Sequence, residues 1–196
     1  MKTLIVADVH ANLAALEAIL EAEGDADEML FVGDAVVAGP QPDETLTLLS
    51  GLRGRFLMGN HDREALDVDC SVPEADPHRR WTQWTHRQIS PRNLRFLAGF
   101  EGPFAVERQR MVVRFVHGDR PRPASRYVWP DSDPETFRAL AGPFPEACIV
   151  FGHTHIQFQR VQDGVTFINP GGAGQQRVGQ PLACYAVWEG GCIRPE

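Results

Sequence analysis

Five apolar runs in this chain each end on a side chain able to bind a metal ion, and no other feature restricts its fold as much. Leu4–Ala7 runs into Asp8 and, two residues on, His10. Leu30–Gly33 runs into Asp34, Arg55–Gly59 into Asn60 and His61, Val113–Val116 into His117, and Cys148–Gly152 into His153 and His155. Of the 7 histidines, only His78 and His86 lie away from such run ends. Short apolar runs of this kind read as buried strands. In open α/β sheets, sites form outside the carboxyl ends of strands. Strand ends converging on one edge would therefore gather all these side chains in a single cleft.

The first half of the chain alternates strand and helix. Thr3–Ala7 is a strand. Asn12 caps a helix with Leu13, Leu16, Ile19 and Leu20 on its apolar face, and Gly24 ends it. Glu28–Val32 is a second strand, Pro42–Leu49 a helix, and Arg55–Met58 a third strand. Strands separated by helices predict a largely parallel sheet. Asp67–Asp76 reads as a loop, Pro77–Arg87 as a helix, and Ser90-Pro91 opens another helix. The second half turns toward β structure: Phe104–Glu107 and Met111–Val116 as a hairpin, then Cys148–Phe151, Ile156–Val161, Thr166–Ile168 and Leu182–Trp188, with a short helix from Pro134 to Leu140. The pattern predicts an α/β chain forming one domain over residues 1–196, with two parallel or mixed sheets packed face to face and helices outside.

The net charge of −7 disfavours nucleic acid and anionic membranes as partners. No stretch approaches the roughly 18 apolar residues of a membrane span, and the apolar N-terminus is broken early by Asp8 and His10. Cys70, Cys148, Cys184 and Cys192 form no CxxC pair and suit a reducing cytoplasm, although a Cys184–Cys192 bridge stays open.

Two carboxylates, one amide oxygen and four imidazoles lie between a hard oxygen cage and a thiolate site. They suit Mn²⁺, Fe or Zn²⁺ better than Ca²⁺. They are too many for one tetrahedral ion and enough for two ions sharing a carboxylate. In two-metal sites, with ions about 4 Å apart, a bridging water is activated and attacks phosphorus in line.

These residues resemble the calcineurin-like metallophosphoesterase superfamily. The motifs stand as Asp8-Val9-His10, Gly33-Asp34, Gly59-Asn60-His61-Asp62, His117-Gly118 and Gly152-His153-Thr154-His155, in the family's order. The helix directly after the first motif and the late Asn169-Pro170-Gly171 segment make the chain most similar to the small stand-alone prokaryotic phosphodiesterase branch. The resemblance implies a two-sheet sandwich flanked by helices, in four layers. It implies Asp8, His10 and His155 on one divalent metal, Asn60, His117 and His153 on a second, and Asp34 bridging them. The metal expected is Mn²⁺, with Fe, Zn²⁺, Ni²⁺ or Co²⁺ as substitutes. His61 is implied to stabilise the transition state or protonate the leaving oxygen, oriented by a hydrogen bond that Asp62 accepts. The activity implied is hydrolysis of a small phosphate ester, a phosphodiester first. A phosphomonoester, or a scaffold of the same fold without catalysis, is the alternative.

Other residues carry weaker expectations. Asn12 is chiefly a helix cap, with a phosphate contact as a second role. Gly171, Gly172 and Gly174 read as a turn rather than a phosphate cradle. Trp81 and Trp84, three apart on a helix, are read as packing on the core or on a partner subunit rather than binding a base, which leaves a homo-oligomer open. Asp119 and Gly172 depart from the family's usual residues and bear on substrate choice; Arg120, Arg122 and Arg126, in a proline-rich loop, are read first as solvated and second as a grip on a distal part of the substrate.

Overall fold

Strand β1 (Thr3–Val6) is buried on both faces, and this double burial explains its unbroken apolar sequence. The computed structural model describes residues 1–72, 74–108, 111–118, 127–143, 146–177, 179 and 182–196. Leu4 and Val6 point to one side, into a core shared with Leu16, Ile19, Leu46 and Leu49. Ile5 and Ala7 point to the other, into a core shared with Phe115, Val150 and Ile168. Strand β2 (Glu28–Phe31) repeats the alternation: Met29 and Phe31 lie in the first core, Leu30 in the second.

Among the described residues, two five-stranded sheets form. The first runs in the order β10 (Cys192–Pro195), β9 (Ala186–Glu189), β1, β2, β3 (Gly54–Phe56). Its β1–β2 and β2–β3 pairs are parallel, with Ile5 opposite Leu30, whereas β9 and β10 are antiparallel. The second runs β4 (Phe104–Arg108), β5 (Met111–Val116), β6 (Cys148–Phe151), β8 (Val165–Asn169), β7 (Phe158–Gln162). Its β5–β6 and β6–β8 pairs are parallel, and β4–β5 and β7–β8 are antiparallel hairpins.

Helices α1 (Leu13–Ala22) and α2 (Pro42–Ser50) supply Leu16, Ile19, Leu46 and Leu49 to the outer face of the first sheet. Helix α3 (Asn60–Asp67) packs against α4 (Pro77–Gln88) and α5 (Pro91–Ala98). Helix α6 (Pro134–Ala141) covers the second sheet's outer face, with Phe137 and Leu140 against Ile149, Phe151 and Phe167. The result is helix, sheet, sheet, helix, the four layers expected.

Three features differ from the sequence reading. Residues 60–67, to which it assigned no element, form a helix. Gly59 is its extended N-cap residue, and the Asp62 carboxylate accepts the Gly59 N–H at 3.0 Å. The last strand starts at Ala186 rather than Leu182 and gains the partner β10 beyond the Gly190-Gly191 turn. The strand ends also do not share one sheet edge. β1, β2 and β3 belong to one sheet, β5 and β6 to the other, and the cleft forms where the two parallel ends meet. There the Asp8 N–H donates to the Gly33 carbonyl, and the Gly152 N–H to the His117 carbonyl.

Candidate metal centre

Asp8, His10, Asp34, His153 and His155 all have left-handed backbones, with φ of 55°, 49°, 59°, 73° and 60°. Each sits just past a strand, where the chain turns sharply to aim the side chain back over the strand ends. Such conformations cost on the order of 1 to 3 kcal/mol each for a non-glycine residue and concentrate at functional sites.

Two buried clusters result. Asp8, His10 and His155 form the first, and Asp34, His117 and His153 the second, with the donor atoms in each within 4.8 Å of one another. The Asp34 Oδ2 atom reaches both, 3.0 Å from His117 Nε2 and 3.8 Å from His10 Nε2. Asn60, the first residue of α3, has its Oδ1 buried without a hydrogen-bond partner. Asp34 Oδ2 and His117 Nε2, close as they are, likewise lack one of hydrogen-bond geometry.

The ring orientations are fixed from behind. Nδ1 of His10 donates to the Val37 carbonyl at 3.2 Å, Nδ1 of His117 to Val32 at 2.7 Å, and Nδ1 of His155 to Gln175 at 2.7 Å. A carbonyl can only accept, so each Nδ1 carries the proton and each Nε2 faces the cleft. His10 Nε2 and His155 Nε2 lie 3.1 Å apart. Burial first of all pulls His10 down to about 3 and His155 to about 4, so both are neutral near pH 7. Two lone pairs facing each other at that distance repel unless a cation lies between them. The donor set therefore fits a divalent metal.

The charges around Asp34 give the same answer. Burial opposes ionisation of Asp34, yet the charge of His117 holds its carboxyl well below the usual carboxylate range. Burial also pulls His117 down, but the Asp34 and Asp8 charges outweigh it and push it up to about 10. Asp8 is pushed up to about 8 by burial, and its carboxylate accepts the His153 N–H at 3.0 Å.

His61 stands at the rim, its ring centroid 5.2 Å from that of His10. The expected Asp62–His61 hydrogen bond is not what orients it. The Asp62 carboxylate faces away and accepts the N–H groups of Asp34, Ala35, Val36 and Gly59. It clamps the Asp34 loop to the start of α3. The His61 ring instead meets Glu64, Nδ1 to Oε2 at 3.1 Å, and Glu64 also takes His78 Nε2 at 3.0 Å. The sequence reading missed Glu64. Its signal was the three-residue spacing from His61, which has meaning only once residues 60–67 are helical.

Asn12 caps α1 through Oδ1, and its Nδ2 donates to the Gly174 carbonyl, so its amide is spent inside the protein. The late glycine segment is a turn, not a cradle. The N–H groups of Gly171, Gly172, Ala173 and Gly174 go to Asn169 Oδ1 and to the carbonyls of His155, Ala7 and Asp8. Cys184 and Cys192 are free thiols, as are Cys70 and Cys148, which removes the bridge left open. Asp119, Arg120, Arg122 and Arg126 lie outside the described residues. Among the described residues, no helix is long and apolar enough to cross a membrane.

The chain is similar to known proteins over most of its length. A metallophosphoesterase from Sphaerobacter thermophilus superimposes with a TM-score of 0.77 at 30% identity, over 96% of this chain and 83% of that one. An uncharacterized protein of Methanocaldococcus jannaschii is 27% identical over 94% of this chain and 81% of its own length. A symmetrical bis(5'-nucleosyl)-tetraphosphatase of Methylococcus capsulatus is 38% identical over 77 residues, 37% of this chain and 28% of that protein. Residues 1–190 match the calcineurin-like phosphoesterase superfamily domain, and with its five motifs meeting in one cleft the chain belongs to that superfamily.

Proposed function

We propose that this protein hydrolyses a small phosphodiester with two divalent cations, Mn²⁺ foremost. Asp8, His10 and His155 would hold one cation and Asn60, His117 and His153 the other, with Asp34 within reach of both groups. The observation that carries the reading is the pair of neutral imidazoles whose Nε2 atoms face each other 3.1 Å apart. When bound, the cations supply Lewis acidity and offset the charge that develops on the phosphoryl oxygens. Oxygen and imidazole donors without thiolate suit Mn²⁺ and leave Fe, Zn²⁺, Ni²⁺ and Co²⁺ as substitutes.

The chain's own residues do the rest. The imidazoles of His10, His117 and His155, locked by carbonyls behind them, keep Nε2 turned inward without reorganisation. His61 donates a proton to the departing oxygen, with Glu64 holding the ring. Asp62 fixes the distance between the Asp34 loop and the His61 helix. The nucleotide activity named for the tetraphosphatase relative supports a nucleotide as the substrate class, and the four free thiols support a reducing compartment, the cytoplasm.

The test is turnover of bis-p-nitrophenyl phosphate and p-nitrophenyl phosphate by chelator-stripped protein, before and after adding Mn²⁺. Diester turnover that appears with metal is expected. Faster monoester turnover would replace diesterase by phosphatase, and silence with every one of the five metals would overturn the reading.

A further inference from the structure

Trp81 and Trp84 do not pack on the core. They are 47% and 40% exposed and, with Ala38, Gly39, Pro40 and Arg80, line a groove of about 450 Å³. Both walls of this groove belong to chain segments that also border the cleft. The floor, Ala38–Pro40, continues the loop that begins with Asp34 and includes Val37, whose carbonyl holds His10. Val37 and Ala38 have φ of 71° and 75°, and a Cβ on Gly39 would run into the His10 carbonyl, so the floor is pressed against the metal centre. The opposite wall is α4. One turn before Trp81 it carries His78, whose ring centroid is 5.4 Å from that of His61.

We infer that this groove seats the nucleobase of the substrate, stacked on Trp81 and Trp84, while its phosphate lies at the metal centre. The inference rests on the phosphoesterase reading and specifies its substrate. The volume is that of a small-ligand pocket. A planar group of nucleobase size fits a groove of this volume. The lining is two indoles, aliphatic floor and one guanidinium. It offers stacking and cation–π contact, with little to read a base edge. The seat therefore accepts purines and pyrimidines alike.

The experiment measures inhibition of bis-p-nitrophenyl phosphate turnover by AMP, CMP and ribose 5-phosphate, in the Mn²⁺-loaded protein and in Trp81→Ala and Trp84→Ala. AMP and CMP should inhibit about ten-fold more tightly than ribose 5-phosphate, and each substitution should remove most of that difference. Trp84→Phe should keep it. In parallel, AMP should quench tryptophan fluorescence of the unmodified protein, and ribose 5-phosphate should not. The quenching is read whether or not the diester turns over, so failure of the phosphoesterase reading and failure of the groove are separate results. Equal inhibition by AMP and ribose 5-phosphate, or an AMP constant unchanged in both alanine variants, overturns the inference. A dimer that dissociates in Trp81→Ala with the AMP constant unchanged overturns it in favour of a second copy.

Discussion

The Glu64 carboxylate is 3.1 Å from Nδ1 of His61, on the same helix and three residues on, which turns the opposite ring nitrogen, Nε2, away from Glu64. Burial lowers the His61 pKa, but the Glu64 hydrogen bond and the charge of Asp34 outweigh it, and the net shift is upward. The protonated ring thus survives to higher pH than a free imidazole. If that form is the proton donor, Glu64→Gln should move the alkaline limb of the kcat–pH profile to lower pH, with metal content unchanged. His61→Ala should also keep its metal and lose on the order of 10²- to 10⁴-fold in rate. Metal analysis beside rate measurement checks both, and loss of metal from His61→Ala would refute the assigned role.

Metal uptake should release protons. Near pH 7 the metal-free centre holds His117 protonated, pushed up to about 10, and Asp8 protonated, pushed up to about 8. Ligation requires both to be deprotonated. His10, His153 and His155, pulled down to about 3, 4 and 4, are already neutral and contribute none. About two protons per protein should therefore leave on saturation at pH 7. The number should fall as pH rises through 8 and then through 10, and affinity should rise over the same range. Calorimetric titration in buffers of different ionisation enthalpy measures this. Release of no protons at pH 7 would contradict the charge state derived for the centre.

The strand ends, the five motifs and the four layers were legible because each apolar run alternates between two dry faces and stops at a polar residue, a local pattern. The Asp62 contact was misread because it depends on a helix beginning at Asn60. The acidic, charged sequence Asn60–Asp67 shows little apolar periodicity, and only tertiary contacts with α4 and α5 settle it. Glu64 was missed for the same reason. The left-handed backbones at Asp8, His10 and Val37 were invisible, since nothing in their residue types requires them. The Trp81–Trp84 groove was out of reach because its floor lies some forty residues earlier in the chain.

Gly59→Ala should displace the shared carboxylate. A Cβ at Gly59 would overlap Asp34 Oδ1 and the Asp34 backbone nitrogen, although the Gly59 φ of −87° is open to any residue. The objection is space, not conformation. Overpacking of this kind costs about 1 to 3 kcal/mol, and here the group pushed aside is the carboxylate proposed to be shared by the two cations, through the oxygen that accepts the His61 N–H. The variant should melt earlier and bind less metal, whereas Gly102→Ala, with nothing within 4 Å, should match the parent in both. Equal metal content in the two variants would show that Asp34 can yield without leaving the cations.

Asp62→Ala separates clamping from orienting. If Asp62 served only to aim His61, its loss would lower kcat and leave stability and metal content alone. Its carboxylate instead satisfies the N–H groups of Asp34, Ala35, Val36 and Gly59, all buried. Each buried donor left without a partner costs about 1 to 3 kcal/mol, reduced where water can enter. The total for four should be on the order of 3 to 5 kcal/mol, which at this chain length is a fall in Tm of about 10 °C. Because the freed loop carries Asp34, metal affinity should fall with stability. Asp62→Asn keeps one acceptor oxygen and turns an NH₂ toward the remaining donors, so it should lie between the two. Thermal melts with and without Mn²⁺ decide the matter: a variant that melts with the parent and loses only rate would restore Asp62 to the side of His61.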